Sequence, residues 1–291
     1  MKSVPFKPLD LSQLLDTTFK FYRDHFKVLF LTIFAIQSAS YVIGKLVLRG
    51  QSYQFGAELQ NIENLGVFIA QWSAIAVISL LTNLMALGVL TFLISDALMN
   101  KQISIQSAFA QIRTRFFSLL GTSILGWLMI LLGIVACVVP GLYFFFSYLL
   151  TTQVVLIEEQ SGMAALSRSK ELMRTKSEKG FTKSNVFKAS VLLLVVGVIT
   201  YSVQTVTALP QVAYYIYAIF SASGKIRPED LMNSPLSIVS ELFNVIGYCL
   251  TKPVGMVALI LLYYDIRSRK EGLDLEMMAD AIPSADKPVE P

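Results

Sequence analysis

Residues 116–157 carry no charged side chain. As one helix rising ~1.5 Å per residue, this run would be about 60 Å long, twice the ~30 Å hydrocarbon layer of a bilayer. Two membrane-crossing helices account for a neutral stretch of that length. Pro140-Gly141 is the predicted break, because Pro and Gly punctuate helices and form tight turns. It divides the run into spans at 116–138 and 142–158. The second is short, and a re-entrant hairpin is its alternative.

Further uncharged runs cover 28–44, 64–95 and 189–224, with 242–251 and 253–264 on either side of Lys252. Only 15% of residues are charged and 54% are hydrophobic, against ~25% charged in soluble domains. These runs predict spans at 26–48, 66–97, 184–208 and 238–265. The fold class is therefore all-α, a polytopic helical membrane bundle of six transmembrane helices plus interfacial amphipathic helices. Residues 1–25 form an interfacial segment, 26–270 the membrane domain, and 271–291 a polar, acidic tail expected to be disordered. The fifth span is predicted to stop before Pro210, leaving Gln211 to Ala222 as a short separate helix at the outer surface. The first apolar run begins after a mixed stretch rather than a short basic leader, so it is expected to stay as an uncleaved anchor.

Cytoplasmic loops concentrate Lys and Arg. Lys2, Lys7, Lys20, Arg23 and Lys27 flank the start of the first span, and Lys101, Arg113 and Arg115 follow the second. Arg168, Lys170, Arg174, Lys176, Lys179, Lys183 and Lys188 follow the fourth, and Arg267, Arg269, Lys270 and Lys287 follow the sixth. The opposite loops hold Arg49, Lys225 and Arg227. This asymmetry predicts both termini in the cytoplasm. Lys45, near the far end of the first span, is expected to snorkel to the headgroups.

Two segments read as surface helices. In 11–24, Leu11, Leu14, Leu15, Thr18, Phe19 and Tyr22 recur with helical period, and Asp10 with Gln13 can begin the helix. It lies either in the membrane interface or on the bundle's own cytoplasmic end. In 162–176, Leu166, Ser169 and Met173 share one face, while Ser167, Lys170 and Arg174 share another. The basic face either meets anionic lipid headgroups or simply reflects the positive-inside bias.

The net charge of +4 is spread along the margins of apolar runs, so no nucleic acid is expected as a partner. Cys137 and Cys249 both lie inside apolar runs, which is neither a disulfide framework nor a metal cluster. His25 is the only histidine. There is no HExxH, Walker, dinucleotide-binding or GxSxG pattern. No catalytic, cofactor-binding or metal site is predicted, and the chain is read as no enzyme. Polar groups inside spans are functional candidates because burying them in lipid is unfavourable. Asn83 lies mid-span, and Lys252 precedes Pro253 in the last span. A cation beside a broken helix can line a substrate site; equally, Lys252 can snorkel beside a structural kink and Asn83 can bond a neighbouring helix. Small-residue stripes at Ser118, Thr122 and Gly126, and at Gly247, Thr251 and Gly255, permit close helix contact.

Three stretches carry a family resemblance. One is Val139-Pro140-Gly141, running to Glu158-Glu159, then Ala164 to Ser169 and Leu172-Met173. Another runs from Tyr263 through Asp265, Arg267, Arg269 and Glu271 to Leu275, and a third is Leu14 to Phe19 with Tyr22-Arg23. Together they resemble the membrane domain found beside glycerophosphoryl diester phosphodiesterase catalytic domains and in stand-alone bacterial membrane proteins. The resemblance implies a bacterial inner-membrane location. It implies no catalytic activity, because the phosphodiesterase chemistry belongs to a separate soluble domain that needs histidines and metal-binding carboxylates. The motif residues also have a physical reading. Glu158 and Glu159 end one span, and Asp265, Arg267, Arg269 and Glu271 end another at the same face. Arg168 and Arg174 can pair with those carboxylates, forming a salt-bridged cytoplasmic plate. The expected function is a membrane scaffold or accessory module for lipid or envelope processes, with the bilayer, anionic headgroups and a membrane protein as partners. The alternative is a small-molecule or lipid transporter.

Overall fold

Long apolar runs satisfy their backbone within lipid by forming helices, and the computed structural model is helical accordingly. It describes residues 9–48, 62–99, 101–174, 184–221 and 235–271, with no strand among them. Lys176, Lys179 and Lys183, the stretch 222–234 and the tail beyond Glu271 lie outside the described residues.

The helices are α1 (Leu11–Asp24), α2 (Phe26–Leu48), α3 (Ile62–Leu98), α4 (Ile105–Ala136), α5 (Val138–Ser147), α6 (Thr151–Ile157), α7 (Gly162–Met173), α8 (Asn185–Ser221) and α9 (Pro235–Glu271). Among the described residues, six segments are long and apolar enough to cross a membrane: Phe26–Val47, Ile69–Leu98, Ile105–Ala136, Val138–Ile157, Asn185–Tyr214 and Ile238–Glu271.

Helix starts follow local chemistry. Asp10 N–H donates to the Gln13 side chain at 3.1 Å, half of a capping box. Ser104 caps α4 by accepting the Ser107 N–H at 3.3 Å. In α1 the buried stripe is Leu14, Thr18 and Phe21. Phe21 takes the place anticipated for Phe19, which is exposed. That stripe is buried by protein, as is the Leu166, Ser169 and Met173 face of α7.

The long neutral run breaks at Cys137, which is extended (φ −177, ψ 155), not at Pro140-Gly141. Pro140 sits in the first turn of α5, where a missing N–H leaves no bond unmade. Gly141 has a different role. A Cβ on Gly133 would lie 3.0 Å from the Gly141 Cα and N, and one on Gly141 would lie 3.0 Å from the Ile134 N. The α4–α5 hairpin closes tightly because both positions lack side chains.

The fifth span also differs from expectation. Helix α8 continues through Pro210 to Ser221, so 211–221 is part of the same helix and not a separate surface piece. Proline is tolerated inside membrane helices, where neighbouring groups satisfy the freed carbonyl. Pro253 likewise lies within the continuous α9.

The chain forms two compact units, 1–24 with 88–194 and 256–291, and 25–87 with 195–255. The first unit holds the denser core. Among the described residues, Ile33 alone of the largest fully buried side chains belongs to the second unit; the others include Leu14, Leu93, Ile112, Leu156, Leu166 and Tyr263. Within the first unit, Gly126 of α4 approaches Leu166 of α7, and Thr122 accepts the Gly162 N–H at 2.8 Å. In the second unit, Gly247 of α9 packs on Thr207 of α8, and Ser40 bonds Thr82 at 3.1 Å. The small-residue stripes therefore serve packing inside the chain. Large apolar side chains such as Leu31, Ile69, Phe117, Trp127 and Val198 stand exposed, as a lipid-facing surface requires.

Candidate functional site

In the first unit, the charged ends of α6, α7 and α9 converge. Arg168 of α7 donates through Nε to Glu158 at 2.8 Å and through Nη1 to Glu171 at 3.3 Å, and also pairs with Glu271. Burial opposes the Arg168 charge, yet the hydrogen bonds to Glu158 and Glu271 outweigh it and hold its pKa above the usual arginine value. Tyr263 donates to Glu158 at 2.9 Å. Arg267 donates to the Tyr263 hydroxyl at 3.2 Å and to Glu271 at 2.8 Å. Charge-assisted bonds of this kind are stronger than neutral ones, and here they link three helices.

Beside this network, the buried Asp265 forms a second node. It accepts the Leu9 backbone N–H at 2.7 Å, Arg269 Nε at 3.1 Å and Lys188 Nζ at 3.4 Å. The Leu9 carbonyl in turn accepts Lys188 at 3.3 Å and Arg269 at 2.7 Å. The segment leading into α1 is thereby pinned to α8 and α9.

Ser169 mends the interruption between α5 and α6. Its hydroxyl donates to the Ser147 carbonyl at 2.9 Å and accepts the Leu150 N–H at 3.2 Å. A break inside an apolar span leaves orphan backbone groups, and this one side chain satisfies two of them. The following turn holds Glu159 in left-handed backbone (φ 59). Arg115 of α4 clasps it by bonding Glu159 and the Leu156 carbonyl.

The structure thus brings Glu158, Arg168, Arg267 and Glu271 into one network and places Asp265 with Arg269 in its neighbour. Arg174 joins neither. It has no ion pair among the described residues, and its carbonyl accepts Lys270 Nζ at 2.7 Å. Sequence reasoning missed Tyr263, Lys188, Arg115 and the Leu9 backbone. Tyr263 stands one helical turn before Arg267, a spacing that signals contact; the other three are distant in sequence and carry no such signal.

The intramembrane candidates lie in the second unit. Tyr248 of α9 donates to the Asn83 side-chain oxygen at 2.5 Å. Lys252 Nζ stands 5.5 Å from the centre of the Tyr248 ring, a cation–π distance. Tyr248 therefore connects the two expected residues. Lys252 has no ion pair among the described residues. Lys45 pairs with Glu241 at 2.8 Å, and Tyr41 donates to the same carboxylate at 2.6 Å. Asn244 adds a bond to Gln211 at 2.7 Å. Among the described residues no group of three His, Cys, Asp or Glu could hold a metal ion.

Six crossing-length apolar segments among the described residues define a multi-pass helical membrane protein. No protein-family model, curated protein or solved structure matches the chain.

Proposed function

We propose that this chain is a non-catalytic module of the bacterial cytoplasmic membrane, a scaffold or accessory subunit for lipid or envelope processes. The observation that carries the reading is the network around Arg168. Glu158, Glu271 and Asp265 each face an arginine, and their pairing ties helix ends and the α1 lead-in together. Charges engaged this way build a rigid platform rather than a poised acid–base pair. The resemblance to stand-alone bacterial membrane domains supports the same class. Six candidate spans and the Lys and Arg asymmetry support a cytoplasmic position for both termini, where the basic face of α7 suits anionic headgroups.

The test is purification of the tagged full chain in mild detergent, beside Arg168→Glu. A partner or lipid that co-purifies reproducibly with the wild type and is lost from the folded variant supports the module. Equal recovery from both removes the platform from the explanation. Cysteine-labelling of loop positions in intact cells checks the orientation.

A second reading, a small-molecule or lipid transporter, is favoured by one observation: a lysine inside a span, over a tyrosine that bonds Asn83. Reconstituted protein that moves a substrate, with Lys252→Ala abolishing movement but not folding, would establish it.

A further inference from the structure

On the first unit, α5, α7 and the start of α8 enclose an open groove of about 630 Å³, within the ~300–1,000 Å³ of small-molecule sites. Its wall is apolar, formed by Val139, Leu142, Phe146 and Val186. These residues belong to α5 and α8, which are apolar enough to meet lipid by length and composition. Lys170 and Arg174 line it as well, and among the described residues no carboxylate does. Lys170 Nζ stands 5.7 Å from the Tyr143 ring centre, which holds a cation against the groove wall. The nearby Glu171 is engaged by Arg168 at 3.3 Å and so does not neutralise Lys170. Arg174, with no ion pair among the described residues, lines the same site. Lys270 adds a further positive charge by bonding the Arg174 carbonyl.

An apolar trough with two cations and, among the described residues, no carboxylate is complementary to one kind of abundant membrane neighbour. We propose that this groove binds one anionic phospholipid, its acyl chain along Val139, Leu142, Phe146 and Val186 and its phosphate between Lys170 and Arg174. The inference rests on the membrane location in the proposed function and not on the orientation of the chain. Binding is measured in detergent, so an inverted topology and an absence of binding are separate results.

The experiment is native mass spectrometry of the full chain in detergent, titrated with phosphatidylglycerol and with phosphatidylcholine of the same acyl chains. A saturable one-to-one phosphatidylglycerol adduct is expected, with phosphatidylcholine at least tenfold weaker. K170A with R174A should weaken phosphatidylglycerol by about thirtyfold. K170R with R174K, which keeps the charge, should retain binding and guards against misfolding as the cause. V139W fills the acyl trough and should weaken binding with both cations intact. Equal affinity for the two lipids, an undiminished double-alanine variant, or competition by soluble glycerol phosphate at matching concentrations would each overturn the proposal, the last by showing a site for phosphate alone.

Discussion

The Asp265 carboxylate accepts the Leu9 backbone N–H at 2.7 Å, joining the end of the last helix to the residue that leads into the first. Asp265 is almost fully buried, and Lys188 and Arg269 bracket it. Removing the carboxylate leaves those cations only the Leu9 carbonyl and takes away the Leu9 N–H's acceptor, a loss that typically costs about 1–3 kcal/mol. D265A should therefore loosen α1. Hydrogen exchange across 11–24 is expected to rise sharply, and D265N, which keeps an acceptor for Leu9, should raise it less. Unchanged protection in D265A would show that Leu14, Thr18 and Phe21 hold α1 without the clamp.

Ser169 offers a cleaner single-residue test. Its hydroxyl is fully buried and serves both the Ser147 carbonyl and the Leu150 N–H. S169A leaves two backbone groups unpaired, and each such loss typically costs about 1–3 kcal/mol. Unfolding in detergent should show a drop of at least that size. A melting curve superimposable on wild type would mean that other groups satisfy the break.

The Arg168 network predicts incomplete rescue. Arg168→Glu places a carboxylate against Glu171 and Glu271 as well as Glu158, so it should be more harmful than R168A. Adding Glu158→Arg restores one attraction and leaves two repulsions, and it also takes from Tyr263 the acceptor at 2.9 Å. Stability of the double variant should fall between that of Arg168→Glu and wild type. Full recovery would mean that Arg168 acts through Glu158 alone.

How far these features can be read in the sequence depends on how local their causes are. Helix α1 begins and ends where its period and Asp10 predict, since both signals lie within a few residues. The position of the α4–α5 break does not follow from Pro140-Gly141, because proline is harmless in a first turn and Gly141 answers to Gly133 on the facing helix. The pairing of Arg168 with Glu158 is legible from opposite charges gathered at helix ends. The Lys45–Glu241 pair is not, because 196 positions separate the partners. Pro210 misleads in the opposite direction: its local rule predicts an end, and the apolar surroundings carry the helix past it.

The hairpin reading has a direct check. P140A should be nearly silent in unfolding experiments, whereas G141A forces a methyl group onto the Ile134 backbone at 3.0 Å. Overpacking of this kind costs about 1–3 kcal/mol. G133A should behave like G141A. If P140A proves the more damaging change, the turn at Cys137 is not what divides the run.

Lys252 separates the module from the transporter most sharply. Tyr248 donates to Asn83 at 2.5 Å and lies beneath the Lys252 ammonium. If this triad only packs α3 against α9, Y248F removes one interhelical hydrogen bond, at about 0.6–1.7 kcal/mol in a membrane. K252M then removes a cation that has no ion pair among the described residues, and it should leave stability unchanged or raise it, because a charge inside a span is unfavourable. If the triad handles a substrate, K252M instead abolishes binding or flux while the fold persists, and Y248F weakens it by displacing the cation's support. Measuring unfolding and substrate movement on the same two variants therefore decides the matter: a stable K252M with undiminished activity in the cell leaves Lys252 no part in transport.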